Sequence, residues 1–185
     1  MSFVTLILAY CVTSIVRGES PEKVNPDAAV IQDFEKRVAE YEKLHKTVEG
    51  TLPRLKPTAS PEKIEHHERE LVHRIREARK SERQGDIFGP EISAEFRRLI
   101  ALAMQGQKAT DMKQSLRHAE PVLVKPLRVN HPYPRGVPLQ STPSTLLLNL
   151  PKLPPELEYR IVGHDLILLD VKCNLIVDFI PNAVP

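Results

Sequence analysis

The sequence predicts a mixed α+β fold in which charged helices come first, a proline-rich extended connector follows, and a three-stranded β-meander closes the chain. Three features point to it. Apolar residues recur at intervals of three and four through the first half of the chain, the spacing of one helix face. Nine prolines fall between Pro121 and Pro155, which excludes a continuous helix or central strand over most of that stretch. From Glu156 to Pro185, three apolar runs are separated by residues suited to tight turns.

The helical region is expected over residues 19–120. Asn25-Pro26-Asp27 reads as a helix start with Asp27 able to cap backbone N–H groups, and Ile31, Phe34, Val38, Tyr41, His45 and Val48 then fall along one side. Gly50 is expected to end this helix, and Thr51–Ser60, holding Pro53 and Pro57, to form a loop. Ser60-Pro61-Glu62 is a second start signal: Ser60 caps, Pro61 takes the first helical position, and Glu62 and Glu65 sit near the positive end of the dipole. Between Pro61 and Gln84, 13 of 24 residues are charged, so Ile64, Leu71, Ile75 and Ala78 form only a narrow stripe. Pairs such as Glu65 with Arg69 and Glu70 with Arg74 stand four apart, close enough to support the helix. Such a helix is expected to pack on the first as an antiparallel hairpin, or to pair with another chain in a short coiled coil. Gly85–Gly89 is a break. Pro90 opens a third helix with Ile92, Phe96, Leu99, Ile100 and Ala103 on its apolar face, ending near Gly106, and a short fourth helix is expected over residues 110–118.

The connector spans residues 121–155, and two of its segments, Val122-Leu123-Val124 and Thr145–Leu150, are too apolar for exposed chain. They are expected to lie across the core or to serve as short edge strands. The meander occupies residues 156–185, packed with the helices as one domain. Leu157, Tyr159 and Ile161 alternate with polar residues, Gly163-His164-Asp165 makes the first turn, Leu166–Val171 is apolar on both faces apart from Asp170, and Lys172-Cys173-Asn174 makes the second turn. Strict alternation places Leu175, Val177 and Phe179 on one face of the last strand, and Ile176, Asp178 and Ile180 on the other. One face of the sheet is expected against helices and the other under partial cover from Leu146–Leu150. Asp165, Asp170 and Asp178 are expected to satisfy backbone groups or to guard an edge.

The N-terminus carries a targeting signal. Phe3–Val16 is a charge-free apolar stretch, too short to span a membrane and of the right length for the core of a secretory signal peptide over residues 1–18. Cleavage after Gly18 would leave Glu19 first. A periplasmic or secreted protein is the expectation, with no stable membrane span after cleavage; a retained N-terminal anchor, a lipoprotein signal at Cys11 and a cytoplasmic origin are the alternatives. Losing Cys11 would leave Cys173 without an intramolecular partner, read as a small, semi-buried residue, with a free thiol or an intermolecular disulfide as alternatives.

Composition narrows the function classes. The 26 basic and 24 acidic residues nearly cancel, and Arg97, Arg98, Arg117 and Arg135 do not concentrate into a basic surface, which argues against nucleic acid. Aromatic residues make up 5% and tryptophan is absent, so large rigid side chains for a ligand pocket are scarce. No phosphate-binding glycine loop, His-Glu-x-x-His helix or nucleophile elbow is present. The Glu-x-x-His spacings at Glu42/His45 and Glu70/His73 match a di-iron bundle, but the first faces the apolar side of its helix and the second faces solvent. The candidate metal site is a surface one. His66, Glu70 and His73 stand at i, i+4 and i+7 and could together hold nickel, zinc or copper weakly through two imidazoles and a carboxylate. The leading expectation is a non-catalytic binding or structural module of the cell envelope, acting on a protein or envelope partner or on itself, with weak metal binding second and an enzyme third.

The stretch Glu158-Tyr159-Arg160-Ile161-Val162-Gly163-His164-Asp165-Leu166-Ile167-Leu168-Leu169-Asp170, with Asn174-Leu175-Ile176-Val177-Asp178, resembles the C-terminal tail of a group of exported bacterial proteins of unassigned activity. That group shares Val137-Pro138-Leu139 and the Thr145–Pro151 segment. Through its Tyr-Arg, Gly-x-Asp and Leu-Ile-Leu elements the terminal hairpin is also similar to that of the RcnB-like periplasmic proteins, a family linked to nickel and cobalt homeostasis. The resemblance implies an exported compartment and a shared hairpin, and it brings no metal ligand with it.

Overall fold

Local signals set the helix ends. In the computed structural model, which describes residues 26–105, 126–134 and 149–185, helix α1 runs Pro26–Gly50 and buries Phe34, Val38, Tyr41 and His45 along one side. Helix α2, Pro61–Ala78, starts as its sequence dictates: Lys63 N–H donates to the Ser60 Oγ cap, and Pro61 fills the first turn, where its missing N–H costs nothing. Of its expected stripe only Leu71 and Ile75 are buried, while Ile64 and Ala78 are exposed. The helix also stops at Ala78, short of the expected Gln84. The reason is Arg79, which turns inward, donates from Nη2 to the Val177 carbonyl (3.2 Å), and offers its own carbonyl to the Asn130 amide (2.7 Å). Helix α3, Pro90–Ala103, buries Ile92, Phe96 and Ile100 on the expected face.

Four strands form one antiparallel sheet: β1 His131–Pro132, β2 Leu157–Val162, β3 Asp165–Asp170 and β4 Leu175–Ile180, in the order β1-β4-β3-β2. Among the described residues the fold is therefore mixed α+β, three helices with a four-stranded sheet. The fourth strand comes from the connector, at a place not expected to pair. Pro132 can pair there because β1 lies on the sheet edge, where its missing N–H leaves no ladder bond unmade. Asn174, at φ 51°, turns the chain from β3 into β4, and its carbonyl and amide bond Tyr133 N–H and C=O, seating the new strand.

The expected alternation of β4 fails in its second half. Leu168 faces Asp178 while Leu169 faces Ile176, so Val177 is an extra residue, a β-bulge. Beyond it the faces exchange: Leu175, Val177 and Ile180 join the helix-side core, and Ile176 and Phe179 join the opposite face. Phe34, Phe88 and Phe96 form the centre of the helix-side core, with ring centroids 5.2–5.6 Å apart, and Tyr159 of β2 meets Phe96 edge-on. The second face buries Val162, Ile167, Leu169 and Ile176 under Tyr133 and Leu127. The cover expected from Leu146–Leu150 is corrected at its described end, because Leu150 packs into the helix-side core. The signal segment, the helix expected at 110–118, and the apolar runs at 122–124 and 145–148 lie outside the described residues.

Candidate functional site

Strand alternation places Asp170, with Leu166 and Leu168, on the helix side of β3, and a four-residue spacing places Tyr41 and His45 together on the facing side of α1. The three meet in a fully buried junction. Asp170 Oδ2 accepts from Tyr41 Oη (2.7 Å) and lies 2.5 Å from His45 Nδ1, and Oδ1 accepts from Lys172 N–H (3.0 Å). Burial alone would raise the Asp170 pKa, but hydrogen bonds from His45, Tyr41 and the Cys173 thiol outweigh it and hold the carboxyl below its ordinary value. Burial, reinforced by the Asp170 charge, pushes Tyr41 and Cys173 up, so both stay protonated donors. Cys173 is free and buried, a thiol with little nucleophilic character. Above Tyr41 the Arg79 guanidinium stacks at 4.9 Å from the ring centroid.

A second carboxylate closes the other end of the helix-sheet interface. The bulge at Val177 turns Asp178 toward the Gly85–Gly89 segment, where its oxygens accept from the N–H groups of Gly85, Ile87 and Phe88 at 2.7–3.2 Å. Gly85 adopts φ 93°, a conformation that favours glycine. Burial pushes Asp178 up, and the backbone donors only partly offset it.

No protein-family model, curated protein or solved structure matches the chain.

Beside the Asp170 junction lies a charged cluster. His45 Nε2 has no hydrogen-bond partner and stands 3.7 Å from Glu49 Oε2. The Lys172 ammonium lies 3.1 Å from that same oxygen and 3.8 Å from Glu156 Oε1, and the buried Glu156 Oε2 is unpartnered. The expected surface trio is placed differently. His66 and His73 are exposed and Glu70 is half-buried, all on α2. His66 and Glu70 line a cleft of 410 Å³ with Leu52, Pro53 and Leu55, whereas His73 lines a separate one of 470 Å³ with Arg69, Arg76, Cys173 and Asn174. Among the described residues no group of three or more His, Cys, Asp or Glu side chains is arranged to hold a metal ion, and no helix is long and apolar enough to cross a membrane. Arg74, expected to pair with Glu70, donates instead to Thr51 Oγ1 (3.1 Å), while Glu65 and Arg69 are paired as expected (3.6 Å).

Sequence reasoning missed the junction while holding its parts. His45 stood on an apolar helix face and Asp170 was the single charge in the Leu166–Val171 run, apolar on both sides. Two misplaced polar residues on different elements are a signal that they meet.

Proposed function

We propose that the chain is a non-catalytic binding module of the cell envelope that docks a protein partner on the cleft between the Leu52–Lys56 loop and the start of α2. The observation that carries this is the cleft itself: Pro53 and Leu55, the latter 41% exposed, line it with buried Leu52, and Arg54, Lys56 and Lys63 line it beside Glu62 and Glu70. An apolar side chain flanked by acidic groups fits such a cleft, the first packing on Leu55 and the second meeting Arg54, Lys56 and Lys63. The catalytic residue types support a non-catalytic role, since Tyr41, His45, Asp170 and Cys173 bond one another beneath the surface. The contact between α1 and α2 across a short loop supports an antiparallel hairpin as the frame of the cleft.

Export is part of the proposal, resting on residues 1–18 and on the resemblance of the C-terminal tail to exported proteins. Protein from an envelope fraction should begin at Glu19, and a chain beginning at Met1 in the cytosol would refute export. Docking is tested by placing a photo-crosslinker at position 55 or, as control, at exposed Leu102. In envelope extract, position 55 should yield one discrete adduct, itself or another protein, that position 102 does not. Equal labelling from both, or none from a monomeric protein, contradicts docking.

The second reading is weak binding of nickel, zinc or copper at His66, Glu70 and His73, favoured by His66 and Glu70 sharing one cleft. Titrating nickel and zinc into the protein and its His73→Ala form decides it, because equal uptake by both forms rules the trio out.

A further inference from the structure

We propose that His45, Glu49 and Glu156 form a site for a borderline divalent cation of the zinc class, distinct from the α2 surface, which the Lys172 ammonium occupies in the unloaded protein. The Asp170 carboxylate holds His45 Nδ1 at 2.5 Å, so Nε2 is the ring nitrogen turned toward Glu49. A histidine whose far nitrogen is held by a carboxylate is the usual arrangement of a metal-binding imidazole. The His45 side chain is fully buried and its Nε2 has no hydrogen-bond partner, yet it faces Glu49 Oε2 at 3.7 Å. Two ligands on one tetrahedral zinc lie roughly 3.4 Å apart, given bonds of about 2.0–2.2 Å, so the pair stands within a few tenths of an ångström of a shared cation.

The remaining ligand is Glu156. Its side chain is 9% exposed and its Oε2 is unpartnered, while Lys172 Nζ reaches both Glu49 and Glu156. In the unloaded protein the three side chains are not gathered as a metal group, and the Lys172 ammonium stands 3.1 Å from Glu49 and 3.8 Å from Glu156. One imidazole nitrogen with two carboxylates favours zinc over calcium or magnesium, which prefer all-oxygen sites. Entry is open, since Glu49 and Lys172 are 36% and 42% exposed and Glu49 lines a cleft of 570 Å³. Of the two cations that line that cleft with Glu49, Lys46 and Arg54, Lys46 is paired with Glu42.

The test is zinc titration of the full chain by calorimetry. Lys172→Met removes the competing ammonium and should tighten a one-to-one zinc site at least tenfold, and Glu49→Gln should weaken it at least tenfold. His73→Ala should leave it unchanged. Lys172 and Glu49 sit at the surface, so neither change should unfold the protein, and the His45 imidazole resonances should shift on loading. Zinc binding no tighter in Lys172→Met, unaltered in Glu49→Gln, or lost with His73→Ala overturns the site, as does no uptake by either the unaltered protein or Lys172→Met.

Discussion

At the scale of single residues, two buried carboxylates join the helices to the sheet. Asp170 is anchored by Tyr41, His45 and the Lys172 amide, so Tyr41→Phe removes one hydrogen bond to a charge and should cost about 1.5–3 kcal/mol in urea denaturation. The pH dependence follows from the lowered Asp170 pKa. Its folded value lies below the unfolded one, so its stabilisation is complete above the unfolded carboxyl pKa, about 3.9, and is lost as pH falls through the folded value. The stability gap between the unaltered protein and Asp170→Asn should therefore narrow as pH drops below about 4, and a gap that widens contradicts the assignment. Asp178 acts with the opposite sign, because its pKa is raised and acid relieves the cost of burying its charge. That Asp170 would be buried was legible from its place in an apolar strand. Its partners were not, since no local pattern links residues 41 and 45 to residue 170 across so long a separation.

At the scale of elements, helix starts were written in local chemistry and strand faces were not. Ser60-Pro61 marked the start of α2 to the residue, and Ser60→Ala should lower stability by about 1 kcal/mol, read as a shift of the thermal midpoint. The bulge at Val177 was invisible because its sequence is as apolar and alternating as its neighbours; the partner strand and Arg79, which takes the Val177 carbonyl, create it. The same feature turned an apparent linker into structure. Ile87 and Phe88 are buried in the core and their N–H groups bond Asp178, so Asp178→Ala should cost about 3–5 kcal/mol, far more than an exposed loop contact. A cost under about 1 kcal/mol would show that the Gly85–Gly89 segment is held by packing alone.

At the scale of the whole molecule, helices and sheet share one core, in which residues of α1, α2 and α3 pack with β2, β3 and β4 around Phe34, Phe88 and Phe96. Periodicity showed that the chain holds both helices and a sheet. It could not show that residues 126–134 cover the second sheet face, since that stretch has no period of its own and owes its order to Asn130 and Asn174. The candidate cation site was equally hidden, being assembled from one helix, the residue before β2 and the turn after β3. If the two aspartates bind helices and sheet into a single cooperative unit, native-state hydrogen exchange tests it most directly. Amides at Tyr41, Ile87 and Phe88 should open with the same free energy as those at Leu168 and Ile180. A sheet that stays protected while α1 and the Gly85–Gly89 segment exchange as a separate, weaker unit would contradict it.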